Sequence, residues 1–223
     1  MTPLPSIVSP SEFEAARRAL LAEEKALTHQ LDALAARRRR LPMTPVGDHN
    51  LAGEHGETTL RALFGDHRQL VVYHFMFPPG QAAPCVGCST FTDNIPPDAL
   101  THLAQRDTAF ALTSPAPLPE LLAYRDRMGW RVPWFSTRGT TLEDDLGVGG
   151  GFALSVFLRD GDDLYRSYWT AARGVDRLRF DFNILDLTPF GRQEEWEDTP
   201  PGRPQTPTMR WLRRHDEYAE VPA

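Results

Sequence analysis

The run Leu70-Val-Val-Tyr-His-Phe-Met-Phe77 constrains the fold of this chain more than any other stretch. Its length and its β-branched and aromatic members suit a strand buried on both faces of a sheet, and Pro78, Pro79 and Gly80 end it. Cys88 to Ala104 then has helical character, and Thr108-Ala-Phe-Ala-Leu-Thr113 reads as a second buried strand. Strand, helix, strand in that order predicts a parallel pair joined by a crossover helix. Leu118 to Met128 is helical by the spacing of Leu121, Leu122 and Arg125, with Gly129 as C-cap, and Val132 to Ser136 suits a short strand. After a flexible Gly147–Gly151 segment, Leu154-Ser-Val-Phe-Leu158, Asp160-Gly161 and Leu164-Tyr-Arg-Ser-Tyr-Trp169 have the pattern of a β-hairpin, and a helix is expected from Val175 to Leu185.

Parallel pair, helix, antiparallel hairpin, helix is the thioredoxin-like α/β arrangement, a mixed central sheet flanked by helices. The predicted organisation is an N-terminal helical arm over residues 1–42, a thioredoxin-like domain over 43–190, and a Pro-rich tail over 191–223 that packs on the domain. Within the arm, Ser11 and Glu14 have capping-box spacing. Phe13, Leu20, Leu27, Leu34 and Leu41 then recur every seven residues, with Ala16 and Leu31 beside them. This rod of roughly 45 Å either lies across its own domain or pairs with a second subunit as a homodimer. Arg37 to Arg40 complement the helix dipole at its C-terminus, and Pro42 stops it. Met43 to Thr59 reads as a connector, Leu60 to Phe64 as a helical turn, and Gln193 to Thr208 as loosely structured. Trp211 to Tyr218 is expected to dock on the domain.

The formal charge of −6, from 30 acidic and 24 basic side chains, disfavours a nucleic-acid partner. No segment approaches the roughly 20 apolar residues of a membrane span, and the start lacks the pattern of a secretory signal. A soluble, cytoplasmic protein is the expectation.

The two cysteines, Cys85 and Cys88, exclude a framework of structural disulfides and turn attention to reactive or metal-binding chemistry. Cys85-Val-Gly-Cys88 lies between a buried strand and a helix start, where free amides and the helix dipole favour a thiolate. This predicts a thiol-dependent oxidoreductase with Cys85 as attacker and Cys88 as resolver. Its substrate is a small-molecule or protein disulfide or other oxidant, its electron donor is open, and no cofactor is expected. A zinc site needs two further ligands, for which only histidines such as His74 or His102 remain, and no metal is expected. A peroxiredoxin-like peroxidase is a competing reading: Pro78 fits that pattern, but Ala82 stands where it has a Thr or Ser. A non-catalytic binding module on the same fold is the other. Trp130, Pro133, Trp134 and Ala153 are candidates for a substrate pocket, Trp169 is a further aromatic candidate, and both cysteines and tryptophans can equally be core. His74 reads as a satisfied core imidazole, His215-Asp216 as part of the docking tail, and Asp93 and Asn94 as solvent-facing.

The runs Tyr73-His-Phe-Met-Phe77, Cys85-x-x-Cys88 with Asp93-Asn94, Arg127-Met-Gly-Trp130 with Pro133-Trp134, Ser155-Val-Phe-Leu158, Leu185-Asp-Leu-Thr-Pro189 and Arg214-His-Asp-Glu-Tyr218 occur together. In combination they resemble the bacterial thioredoxin-like family catalogued as domain of unknown function 899. The resemblance runs from the N-terminal helix to Tyr218 and implies a thioredoxin fold and a redox role. An Arg expected between Ser114 and Ala116 is replaced here by Pro115. Thioredoxins themselves carry a cis-proline before the first hairpin strand, where this chain has about Ala153. Without it, a small molecule or a dedicated partner is the expected substrate.

Overall fold

The computed structural model describes residues 4–81 and 83–219. Ser9, Pro10 and Glu12 start the first helix, α1 (Pro10–Arg38). Pro10, which has no amide proton to lose, takes the first turn. The Ser9 hydroxyl accepts from the Glu12 amide at 3.3 Å, and the Glu12 carboxylate accepts from the Ser9 amide at 2.9 Å. The capping box therefore lies two residues ahead of the Ser11–Glu14 pair that the spacing suggested, and Glu14 instead pairs with Arg18 on the next turn at 3.0 Å. No described residue of α1 is buried. Phe13, Leu20 and Leu27 remain 60, 56 and 55% exposed.

The stretch expected to be a connector forms three short strands, β1 (Thr44–Val46), β2 (Asn50–Gly53) and β3 (Gly56–Thr59), followed by a 3-10 turn at Ala62–Phe64. Their local signal is weak because each is only three or four residues long; pairing with distant strands holds β1 and β2 in place. Next come β4 (Gln69–His74), α2 (Val86–Asp93), α3 (Pro97–Ala104), β5 (Thr108–Ser114) and α4 (Leu118–Arg127). The helical stretch after Cys88 is broken in two because Pro96 and Pro97 supply no amide to continue α2. Gly129, at φ +66°, lets the chain turn after α4. The remaining elements are β6 (Trp134–Ser136), α5 (Leu142–Asp145), β7 (Ala153–Asp160), β8 (Asp163–Ala171), a 3-10 run Ala172–Leu178, and α6 (Phe180–Leu185). The single helix expected over 175–185 is thus a 3-10 run and a short α-helix, interrupted at Arg179.

One eight-stranded sheet runs in the order β1-β8-β7-β4-β5-β6-β2-β3. β4 is central, parallel to β5 with Tyr73 opposite Leu112, and antiparallel to β7 with Tyr73 opposite Leu154. β7 and β8 form the predicted hairpin. In the order β8-β7-β4-β5, the β8–β7 and β7–β4 pairs are antiparallel and the β4–β5 pair is parallel with helices in its crossover, which is the thioredoxin fold. Alternation along β4 sends Leu70 and Val72 into a core with Leu51, Phe64, Ala111 and Leu142, and Tyr73 into the opposite core with Cys88, Phe91, Leu112 and Leu121.

The tail is better ordered than its composition suggests. The buried Glu194 carboxylate accepts from Trp196 Nε1 (2.6 Å), Trp211 Nε1 (2.8 Å) and the Met209 amide (2.8 Å). Arg192 pairs with Asp186 at 2.7 Å and lies over the Phe182 ring. Burying a carboxylate requires such donors, and here they come from the segment it anchors. Among the described residues no helix is long and apolar enough to cross a membrane.

Candidate functional site

After β4 the chain runs out through Pro78-Pro79-Gly80 and returns so that the Cys85 amide donates to the Met76 carbonyl at 3.3 Å. This places Cys85 as the N-cap of α2, where its sulfur accepts from the Cys88 amide at 3.5 Å. Ser89, one turn on, donates its hydroxyl to the Cys85 carbonyl (2.9 Å) and meets the Tyr124 hydroxyl (2.9 Å). Cys88 is buried in the core, with the Tyr73 hydroxyl against its sulfur and Tyr73 stacked on Phe91 at 4.1 Å. Both thiols are free, and only Cys85 is partly exposed.

The tail completes this environment. Arg214, nine-tenths buried, donates to the Pro84 carbonyl and pairs with Glu217 at 2.8 Å. Arg127 holds Asp216 at 2.8 Å, and His215 meets Asp93, which also accepts from Trp130 Nε1 at 2.8 Å. Asp93 therefore joins α2 to the tail while staying exposed, as expected, and the Asn94 side chain, partly buried, accepts from the Asp181 amide at 2.8 Å.

Two neighbouring thiols share their protons unequally here. The Cys88 thiol donates toward the Cys85 sulfur, and the Cys88 and Gly87 amides and the Arg214 guanidinium add to it, so the Cys85 thiol is drawn down to about 6 against the opposing effect of burial. Cys88 is pushed the other way, first by that same bond to Cys85 and then by burial. Cys85 is the thiolate of the pair and Cys88 the thiol.

A mainly apolar cavity of about 290 Å³ opens on Cys85. Its lining includes Phe75, Met76, Phe77, Pro84, Pro115, Glu143, Val148, Gly150 and Gly151. The four residues read from the sequence as a pocket do not line it. Trp134 is 2% exposed, packs 4.7 Å from Phe75 and donates to the Ser114 hydroxyl at 3.0 Å. Trp130 caps the same aromatic cluster, 5.5 Å from Tyr124. Pro133 accepts from the Leu112 amide at 2.8 Å and lines a separate depression with Arg125 and Arg131. Ala153 pairs with His74 across β4 and β7, and its side chain enters the core on the opposite face from Cys88; Gly150 and Gly151, just before it, reach the cavity. Trp169 is distant, beside Leu41 and Arg166. His74 is satisfied by Ser155 (3.0 Å) and Thr113 (3.1 Å), and burial holds it down to about 4, so it is neutral. Ala82 lies outside the described residues. Among the described residues no three His, Cys, Asp or Glu side chains gather as a metal-binding group.

Sequence reading missed Arg214 and Glu143. Arg214 stood in a recognised motif but was read as a docking element, and Glu143 carried no signal beyond an acidic run.

The class defined by topology and site is a thioredoxin-fold protein with a Cys-x-x-Cys pair at the start of the helix that follows its central strand. The chain belongs to the DUF899 family, described as bacterial protein of unknown function, whose sequence profile matches residues 2–218. No curated protein matches it. Among solved structures it is similar to a protein described as thiol:disulfide interchange protein DsbE from Chlorobium tepidum, with 12% identity, 58% of this chain and 84% of that one covered, and a TM-score of 0.38. It is also similar to the bacterioferritin comigratory protein of Xanthomonas campestris, with 17% identity, 58 and 86% covered, and a TM-score of 0.36. A third is a protein described as a protein disulfide isomerase from Bacteroides thetaiotaomicron, with 18% identity, 66 and 92% covered, and a TM-score of 0.39.

Proposed function

We propose that this protein is a thiol-dependent oxidoreductase in which the Cys85 thiolate attacks a small electrophile and Cys88 resolves the product as an internal disulfide. The observation that carries this reading is the asymmetry of the pair: a partly exposed sulfur at a helix start beside a cavity, and a buried thiol one turn behind it. A small aromatic disulfide added in slight excess to the reduced protein is expected to remove both free thiols, release two aromatic thiols per chain and leave a chain lighter by two hydrogens. Thiols that stay free in the folded protein favour a non-catalytic binding module instead.

We infer also that α1 pairs antiparallel with α1 of a second copy of this chain. Its stripe of Phe13, Leu20, Leu27 and Leu31 is exposed on a helix that buries none of its described residues. Glu12 and Glu14 mark its start and Arg37 to Arg40 its end, so only the antiparallel arrangement sets opposite charges against each other at both ends. Light scattering should return a dimer for the full chain and a monomer for the double variant Leu20→Lys, Leu27→Lys. A monomeric parent protein removes this proposal and leaves the redox reading untouched.

A further inference from the structure

We propose that the cavity beside Cys85 is a binding pocket for a small organic hydroperoxide and that Glu143 is the acid that protonates its departing alkoxide. This rests on the reading of Cys85 as nucleophile and names its substrate.

The first argument is the shape and lining of the space. About 290 Å³ bounded by Phe75, Met76, Phe77, Pro115 and Val148 suits a compact apolar body and has no room for an extended peptide. The second is the choice of polar groups. Among the described residues, the titratable ones lining the cavity are Cys85, His74 and Glu143. His74 already spends both ring nitrogens on Ser155 and Thr113. Glu143 does not: the Thr137 hydroxyl donates to one of its carboxyl oxygens and orients the group, and among the described residues the other oxygen has no hydrogen-bond partner. Burial and the neighbouring Asp144 raise its affinity for that proton, with only the Thr137 bond opposing and no cation among its partners.

The third argument is the chemistry that such an acid serves. A thiolate leaves a disulfide unaided, since its conjugate acid has a pKa of about 8.5. An alkoxide resembles hydroxide, whose conjugate acid holds its proton far more tightly than a thiol does, and departs only as a proton reaches it. A carboxyl with raised proton affinity lining the same apolar pocket as the nucleophile therefore fits O–O cleavage and is superfluous for S–S exchange. In the step, the Cys85 thiolate attacks the terminal oxygen of R–O–O–H, the S–O bond forms and the O–O bond breaks. RO⁻ takes the Glu143 proton, giving Cys85 sulfenic acid, the alcohol ROH and a Glu143 carboxylate that regains its proton from solvent. Sulfur is oxidised and the peroxide reduced by two electrons. The Cys88 thiol then displaces water from the sulfenic acid, and an external dithiol reduces the resulting Cys85–Cys88 disulfide.

The test follows single turnovers of the full-length reduced protein by quenched mass spectrometry, with three reagents for the parent and for Glu143→Gln. Iodoacetamide and an aromatic disulfide have leaving groups that need no proton; cumene hydroperoxide does. Glu143→Gln is expected to slow the hydroperoxide reaction by about 10²-fold and the other two by less than about twofold, the iodoacetamide arm also reporting that the variant folds with its thiolate intact. The parent should react with cumene hydroperoxide about tenfold or more faster than with hydrogen peroxide, which has no apolar body to bury. Equal hydroperoxide rates in parent and variant, or no preference over hydrogen peroxide, overturn the proposal. A parent that reacts with neither iodoacetamide nor the disulfide overturns the nucleophile reading itself.

Discussion

Brief oxidation of Cys88→Ser protein should leave a mixed disulfide or sulfenic acid trapped on Cys85, whereas Cys85→Ser protein should trap nothing and the parent should carry an internal disulfide. The expectation follows from position. Cys85 caps α2 and meets its free amides, while Cys88 is buried against Tyr73 with its proton held toward Cys85. Alkylation should select Cys85 for the same reason. The thiolate is the reactive form, so a thiol drawn down to about 6 gives a rate that climbs below that pH and is flat above it. An ordinary cysteine is still climbing at pH 8. Mass spectrometry of each variant after brief exposure reads the first result, and a pH series with iodoacetamide reads the second. Equal labelling of the two cysteines, or trapping on Cys88 alone, would falsify the assignment of roles.

Glu194→Ala is expected to cost the docked tail about 3–5 kcal/mol, because two indole N–H groups and the Met209 amide lose their shared acceptor at once. The loss is local to the tail. Trypsin should then cut after Arg210 and Arg213 at rates that leave the sheet intact. The site should respond as well, since the same tail carries Arg214 to Pro84 and lays the Met209 methyl over Gly87, between the two cysteines. Removing the guanidinium alone, as Arg214→Ala, takes a positive charge from beside the thiolate and moves the Cys85 midpoint upward. The expected shift is about half to one unit, which slows alkylation roughly two- to fivefold at pH 6 and leaves the plateau above pH 8 unchanged. A tail that stays protected in Glu194→Ala, or an unmoved pH profile in Arg214→Ala, contradicts this account of how the tail supports the site.

How much of this was legible in the sequence depended on whether the signal was local. β4 announced itself because Leu70 to His74 feed both cores in alternation, and the β7–β8 hairpin because Asp160-Gly161 supplies its turn, with Gly161 at φ +58°. The capping box slipped by two residues because Ser9 and Ser11 each have a glutamate three positions on, and only the placement of Pro10 decides between them. Three strands went unread because β1, β2 and β3 are too short for a period to show. The proposed pocket residues failed for a related reason. An aromatic side chain near a strand end looks the same in sequence whether it faces a ligand or, like Trp134, is buried against Phe75.

The order of the central strands β4, β5, β7 and β8, the mixed pairing that follows from it, and the placing of Cys85 and Cys88 at a strand-to-helix junction were written locally in the chain, since each depends on residues within a few turns of one another. The surroundings of Cys85, by contrast, come from distant segments. Arg214 meets Pro84 from 130 positions away, and Glu143 comes to the cavity from a short helix whose own pattern says nothing of its destination. Such partners are set by how the sheet closes and where the tail docks, and no local periodicity encodes a contact between segments that the chain brings together only when it is folded.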